Sequence, residues 1–130
     1  MADFESDMEL NLLSEKVIGA AIEVHRQLGP GLDEGLYEAA LGVELQLRNI
    51  RFDRQVIAPV LYKGQSIGQK RLDMVIEGKI VVELKAVEQM PELFRWQTLT
   101  YLKITGLRLG LLINFNTKQL VDGIKRIINR

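Results

Sequence analysis

Residues 71–76 and 81–85 form two apolar runs separated by a short turn at 77–79, a pattern that indicates a β-hairpin. Apart from Arg71, which begins the first run, three charged side chains lie within these runs: Asp73, Glu83 and Lys85. Burying an isolated carboxylate or ammonium group costs several kcal/mol unless it is paired. Each of the three therefore needs a partner, and a bound divalent cation is one candidate.

The length of the turn decides whether Asp73 lies on the same face of the sheet as Glu83. Side chains alternate between faces along a strand, so Glu83 and Lys85 share one face. An even-length loop would place Asp73 on the opposite face, whereas a three-residue loop with Gly78 in the left-handed conformation places it beside Glu83. We expect the three-residue loop, and therefore two carboxylates and one lysine on a single face.

Composition limits the class of protein. A chain of 130 residues fits one domain, 1–130, with an ordinary apolar share of 47%. The absence of cysteine excludes disulfides, zinc–thiolate sites and cysteine nucleophiles, and it fits the cytoplasm. No apolar run approaches the roughly 18 residues of a membrane span. Because 17 basic residues balance 17 acidic ones, the charge counts mildly against tight non-specific binding of nucleic acid.

Apolar periodicity predicts an α/β domain with a central mixed sheet flanked by helices. Helices are expected at 10–28, 33–48 and 91–105 and after Thr117, and strands at 55–62, 67–76, 79–87 and 107–115. The first three strands would form an antiparallel meander, in which Pro59 marks an edge position or a bulge. Helix 91–105 would then lead through a right-handed crossover to a buried parallel strand. Residues 1–8 are expected to be a loose acidic lead.

The paired carboxylates point to metal chemistry. Asp73 and Glu83 on adjacent strands would supply the oxygen ligands that Mg²⁺ or Mn²⁺ binds, and the ion would acidify a bound water. Lys85 would orient that water or stabilise charge on phosphorus. Glu34 or Glu38, from the second helix, would add a third carboxylate. The alternatives are a structural salt-bridge network that pairs Lys85 with a carboxylate, and acidic residues that only complement the helix dipole.

Two polar residues on the third helix form a second candidate pair. Gln97 and Tyr101 lie one helical turn apart on an otherwise apolar segment. One interpretation directs both at the face that carries Glu83, where they would position a phosphate or a nucleotide. The other interpretation places Tyr101 in the core and assigns Gln97 to a buried backbone group.

These residues resemble a known family. Residues 31–37, Gly-Leu-Asp-Glu-Gly-Leu-Tyr, match the G-x-x-E-x-x-Y signature of the GxxExxY family. Further matching stretches are 28–32, 37–41, 71–73, 82–87 and 110–115, so that the likeness covers residues 10 to 128. That family is similar to the PD-(D/E)xK nuclease superfamily. The resemblance implies an αβββαβ core, which agrees with the predicted order of elements once the additional N-terminal and C-terminal helices are set aside.

The resemblance also implies roles for individual residues. Asp73, Glu83 and Lys85 stand where the superfamily has its metal-binding and catalytic residues, and Glu34 matches a glutamate on its first core helix. The Gln97-x-x-x-Tyr101 spacing resembles an element of the branch that includes recombination exonucleases. One departure is Leu72, which stands where many members have proline.

Two functions follow as hypotheses. The first is a Mg²⁺- or Mn²⁺-dependent nuclease that hydrolyses phosphodiester bonds, with DNA the expected substrate and DNA repair or recombination the expected setting. The second is a non-catalytic module that binds nucleic acid or self-associates into a homo-oligomer while keeping the nuclease fold. Zero net charge favours the second, and an edge strand at Pro59 or the last helix would supply its interface.

Overall fold

The computed structural model describes the backbone of residues 2–130 and the side chains of residues 7–130. Within these described residues, three α-helices and five strands follow one another, with a short 3-10 helix before the last strand. Their bounds are α1 Ala2–Leu28, α2 Glu34–Leu47, β1 Phe52–Tyr62, β2 Gln65–Ile76, β3 Ile80–Lys85, α3 Glu92–Thr105, β4 Leu109–Asn114, the 3-10 helix Leu120–Gly123 and β5 Ile124–Ile128. None of the described helices is long and apolar enough to cross a membrane.

The five strands form one mixed sheet in the order β1-β2-β3-β4-β5. The first three strands pair antiparallel, β3 pairs parallel with β4, and β5 pairs antiparallel with β4. The predicted meander, the parallel pairing of the strands before and after α3 and the inner position of the Leu109–Asn114 strand are therefore confirmed. Pro59 lies on an edge strand, beside a register shift between Val60 and Leu61.

Helices cover both faces of the sheet. Buried residues of α1 and α2 pack with Met74, Ile76, Val82 and Leu84 on one face. Leu102 of α3 packs with Leu72, Val75 and Val81 on the other. Buried apolar side chains thus hold the middle of the sheet rigidly between two helical layers, which suits it to carry a precisely positioned site.

The predicted C-terminal helix is wrong. Residues 124–128 instead form β5, in which Ile127 pairs with Gly110 and Ile124 pairs with Ile113. Isoleucines three and four apart satisfy a helical period, but β-branched residues also suit a strand. Pairing with β4 satisfies backbone groups on an edge that would otherwise remain open, and this tertiary gain decides the outcome.

The predicted loose lead at 1–8 is also wrong where the structure describes it, since α1 begins at Ala2. Met1 lies outside the described residues. The Asp7 carboxylate pairs with the Arg108 guanidinium, and Leu10 packs against the core. These contacts attach the first turns of α1 to the start of β4, which local sequence cannot reveal.

Gly123 is a position where the backbone approaches too closely for any side chain. A Cβ atom there would lie 2.3 Å from the carbonyl oxygen of Asn114. We expect Gly123→Ala to lower the free energy of unfolding by about 2–3 kcal/mol, because backbone must move to relieve the overlap. The matched control is Gly35→Ala in α2, where a Cβ meets nothing within 4 Å. Chemical denaturation should show that variant unchanged or stabilised by up to about 1 kcal/mol.

Candidate active site

The hairpin between β2 and β3 has the predicted register. Ile76 pairs with Ile80 across a three-residue connection, and Met74 pairs with Val82. Gly78 has the expected left-handed backbone with φ 65°, and Glu77 shares it with φ 52°. The Lys79 amide donates to the Ile76 carbonyl over 2.8 Å and closes the turn.

The backbone pairing between β2 and β3 ends at Met74 and Val82. The next hydrogen bonds between these strands run from backbone amides to carboxylates. The Asp73 amide donates to Oε2 of Glu83 over 2.9 Å, and the Leu84 amide donates to Oδ2 of Asp73 over 2.8 Å. Each carboxyl group is thus fixed by the opposite strand. Among the described residues, Oδ1 of Asp73 and Oε1 of Glu83 make no hydrogen bond, so one oxygen of each group is available to a ligand.

A kink in β1 and β2 explains how Asp73 reaches this position. Regular alternation would put Leu72 on the same face as Met74, yet the two side chains belong to cores on opposite faces. The inversion occurs at Asp73, and Gln55 on the neighbouring strand has the unfavourable φ of 54°. Both strands therefore change face together, and the Asp73 carboxyl is turned towards β3.

The electrostatics of the pair favour protonation when nothing is bound. Glu83 is only 6% exposed, and this burial, followed by the nearby Asp73 carboxylate, raises the pKa of Glu83 to about 8. Burial also raises the pKa of Asp73, although the hydrogen bond from the Leu84 amide opposes the shift. Ionising both carboxyl groups costs free energy because they are buried and close together. A bound cation would offset this cost.

Lys85 lies beside the pair without forming a salt bridge to it. Its Nζ lies 4.3 Å from the centroid of the Phe94 ring on α3, within the range of a cation–π interaction. In the described part of the chain, no carboxylate oxygen is within 4.0 Å of this nitrogen. The ammonium still lowers the pKa of Glu83 through its charge. The salt-bridge alternative is therefore not what the geometry shows.

The face of α3 nearest the pair carries three residues at spacings of three and four. Phe94 contacts Lys85, and burial together with the charges of Glu83 and Asp73 raises the pKa of Tyr101. The Tyr101 phenol thus remains a proton donor at neutral pH. Gln97 lies between them in the spacing and is half-buried. It is related to the site only by this shared helical face.

The two glutamates of α2 have different surroundings. Glu38 is buried and accepts hydrogen bonds from Nε of Arg54 over 2.9 Å and Nε2 of Gln55 over 2.8 Å. It therefore anchors the kinked part of β1 opposite Asp73. Glu34 is exposed on the first turn, and burial followed by the Asp73 charge raises its pKa. Of the two, Glu34 is the one left for a ligand.

Tyr37 explains why the turn before α2 has a fixed shape. Its ring stacks on Phe115 with 4.5 Å between centroids. Its hydroxyl donates to the Gly29 carbonyl and accepts from the Leu32 amide. The tyrosine of the signature is thus a structural anchor for the loop that presents Glu34.

The donor set suits a hard cation, although the structure does not bring three acidic groups together. Among the described residues, no group of three or more His, Asp or Glu side chains is arranged to hold a metal ion. The available set is Asp73 with Glu83, and Glu34 is an exposed residue at the start of α2. Mg²⁺ commonly takes one or two protein carboxylates and completes its shell with water and substrate. The pair fits that requirement.

The sequence pattern did not predict three residues that contact the site residues: Arg54, Gln55 and Phe94. The first two act through Glu38, and the spacing of Glu38 on α2 placed it near the site without revealing its partners. From the sequence, Phe94 is one of several apolar residues of the predicted helix 91–105. Its position three residues before Gln97 was the only available signal.

We expect Glu38→Gln to destabilise the protein by about 1–3 kcal/mol, because it weakens charge-assisted hydrogen bonds to Arg54 and Gln55 at a buried position. The matched control is Glu44→Gln, which removes an i,i+4 ion pair with the exposed Arg48. That change should cost no more than about 0.5 kcal/mol. Urea denaturation measures both, and equal losses would contradict the anchoring role of Glu38.

A model of the PD-(D/E)XK nuclease superfamily matches residues 11–127. The match includes every candidate residue described above. Comparison with curated proteins and with solved structures gives no match. The narrower resemblance to the GxxExxY family stays a prediction.

Proposed function

Because the chain belongs to the PD-(D/E)XK nuclease superfamily, we propose that it is a Mg²⁺- or Mn²⁺-dependent nuclease that hydrolyses phosphodiester bonds of DNA. The observation that carries the proposal is the Asp73–Glu83 pair at the end of the β2–β3 ladder. Each carboxyl group is fixed by a backbone amide of the opposite strand and keeps one oxygen for a ligand.

Members of this superfamily generally use divalent metals, and the residues here fit one. Asp73 and Glu83 would hold the ion, and Glu34 would assist from α2. When bound, the ion supplies an acidified water and neutralises charge on the phosphate. The raised pKa of Glu83 means that binding at neutral pH displaces a proton from the pair.

The neighbouring side chains would act directly on the substrate. The Lys85 ammonium, placed over Phe94, is available to orient the attacking water and to stabilise charge that builds on phosphorus. The protonated Tyr101 phenol and the Gln97 amide would donate hydrogen bonds to a phosphate oxygen from the α3 side. These roles require groups held in advance, which the packed helix provides.

The test is a cleavage assay on supercoiled, linear duplex and single-stranded DNA, with duplex and single-stranded RNA beside them. We expect cleavage of DNA with Mg²⁺ or Mn²⁺ and none with EDTA. Cleavage that persists in EDTA would contradict the metal dependence. Failure to cleave any substrate, together with salt-sensitive binding, would favour the non-catalytic module instead.

The non-catalytic function keeps one structural argument. The acidic groups do not form a closed cluster of three among the described residues. The same assay therefore includes a binding measurement, so that a retained fold without chemistry is recognised.

A further inference from the structure

The paired strands β1 and β2 continue well beyond the helices that cover the rest of the sheet. We call residues 56–72 the distal ribbon. Ala58 is its last buried residue on β1 and Leu72 its buried residue on β2. Every residue from Leu61 to Arg71 is exposed. The ribbon ends in a turn at Lys63 and Gly64, both with positive φ.

The distal ribbon has a charge unlike that of the rest of the chain. It contains Lys63, Lys70 and Arg71 and no acidic residue. The remaining residues therefore carry 14 basic against 17 acidic side chains. Zero net charge conceals a cationic arm on an anionic body, and such an asymmetry is typical of a surface that meets a polyanion.

We propose that the distal ribbon is a DNA-binding arm that lies in the major groove of duplex DNA and holds the duplex against the Asp73–Glu83 pair. This inference rests on the proposed function and names its substrate form. Arg71 is two residues from Asp73, which is about 7 Å along a strand. The base of the ribbon thus adjoins the position of Asp73 on β2.

The placement of the cations favours a groove over a flat contact. Lys70 pairs with Ala58, on the α3 side of the sheet, and Arg71 pairs with Ile57, whose side chain lies on the other side. The ribbon is therefore positive on both faces. A ribbon inserted between the two phosphate backbones of a duplex meets negative charge on both of its faces. A ribbon that contacted only one phosphate backbone would leave either Lys70 or Arg71 without a phosphate to bind.

The dimensions select B-form duplex. The major groove, about 12 Å wide, admits a two-stranded ribbon, and the minor groove, about 6 Å wide, does not. The major groove of A-form RNA is too narrow for the same insertion. From Gln65 to Asp73 the arm extends roughly 25 Å, which corresponds to about seven base pairs.

Strand addition by a second copy is a poorer use of this edge. Pro59 has no amide hydrogen to donate, and the register shift between Val60 and Leu61 bends the edge of β1. Both features oppose edge-to-edge pairing. The exposed apolar tip, Leu61, Tyr62 and Ile67, remains compatible with contacts to bases or sugars inside the groove.

The test measures DNA affinity without chemistry. Fluorescence anisotropy of a labelled duplex in EDTA, over a series of salt concentrations, gives the slope of log K against log salt. The slope is negative, and we expect the variant Lys63→Gln/Lys70→Gln/Arg71→Gln to lower its magnitude by about 2–3. This is close to one for each lost phosphate contact. The matched control is Lys103→Gln/Lys118→Gln/Lys125→Gln, which makes the same charge change at exposed sites elsewhere. It should change the slope by less than about 1.

The outcomes separate this inference from the nuclease proposal. Duplex binding that depends on the ribbon supports the arm even if no substrate is cleaved. Equal effects of the two triple variants, or equal affinity for duplex RNA, would overturn it. The inference would also be overturned if the wild-type protein does not bind DNA and light scattering shows that it self-associates through the tip. Thermal unfolding of both variants, expected to match the parent, excludes a folding defect.

Discussion

Asp73→Asn is expected to lower the rate of metal-dependent DNA cleavage by about 10³-fold. The loss follows because a carboxylate that holds the ion stabilises transition-state charge by several kcal/mol, and each 1.4 kcal/mol or so is a factor of ten. The Asn amide oxygen can still accept from the Leu84 amide, so the fold should be kept. Glu34→Gln, at an exposed position, should cost about tenfold or less. Single-turnover cleavage at one fixed Mg²⁺ concentration, chosen to saturate the parent protein, measures each rate.

Asp53→Asn provides the matched control for this prediction. Asp53 is an exposed acid on β1 that pairs with Val75, and it lies outside the site. Its replacement makes the same change in charge and should leave the rate within about twofold. If Asp73→Asn and Asp53→Asn behaved alike, the pair would have no part in the reaction.

Stability is expected to fall as the pH rises from about 5 to 8 in the absence of metal. The folded pKa of Glu83, about 8, lies above its ordinary value of 4.5, so the folded state binds the proton more tightly across this window. The stabilisation is fully present at a pH below the ordinary pKa of Glu83, and it is lost as the pH rises through the pKa of the folded state. At about 1.4 kcal/mol for each unit of difference, the loss amounts to a few kcal/mol.

Glu83→Gln tests the origin of that loss. A neutral amide at this position should flatten the pH dependence and leave the variant more stable than the parent at pH 8. Mg²⁺ should stabilise the parent at pH 8 much more than at pH 5, because it replaces the proton. Urea denaturation at pH 5 and pH 8, with and without Mg²⁺, gives the free energy of unfolding of each protein under the four conditions. A steep fall that survives in Glu83→Gln would assign the effect to other groups.

The features that the sequence predicted correctly are those set by local pattern. Apolar runs 71–76 and 81–85 and the turn between them fixed the register that brings Asp73 beside Glu83. Pro91 marked the start of α3 and Gly106, with φ 74°, its end. Patterns of this kind express steric preferences of a few neighbouring residues, which do not depend on the rest of the fold.

The features that could not be predicted depend on contacts distant in the chain. Residues 124–128 are a strand because β4 offers them an edge, although their spacing also suits a helix. The face inversion at Asp73 requires the left-handed conformation of Gln55, a residue with no propensity signal for it. Glu38 holds that segment from a helix 17 residues earlier. Such partners are known only once the elements are packed.

Calorimetric titration with Mn²⁺ at pH 8 shows whether Asp73 and Glu83 together bind a divalent cation. We predict that the parent and Asp53→Asn bind Mn²⁺ with release of protons. Asp73→Asn and Glu83→Gln should each lose the binding, although both remain folded. Unchanged Mn²⁺ affinity in those two variants would mean that Asp73 and Glu83 do not hold the cation.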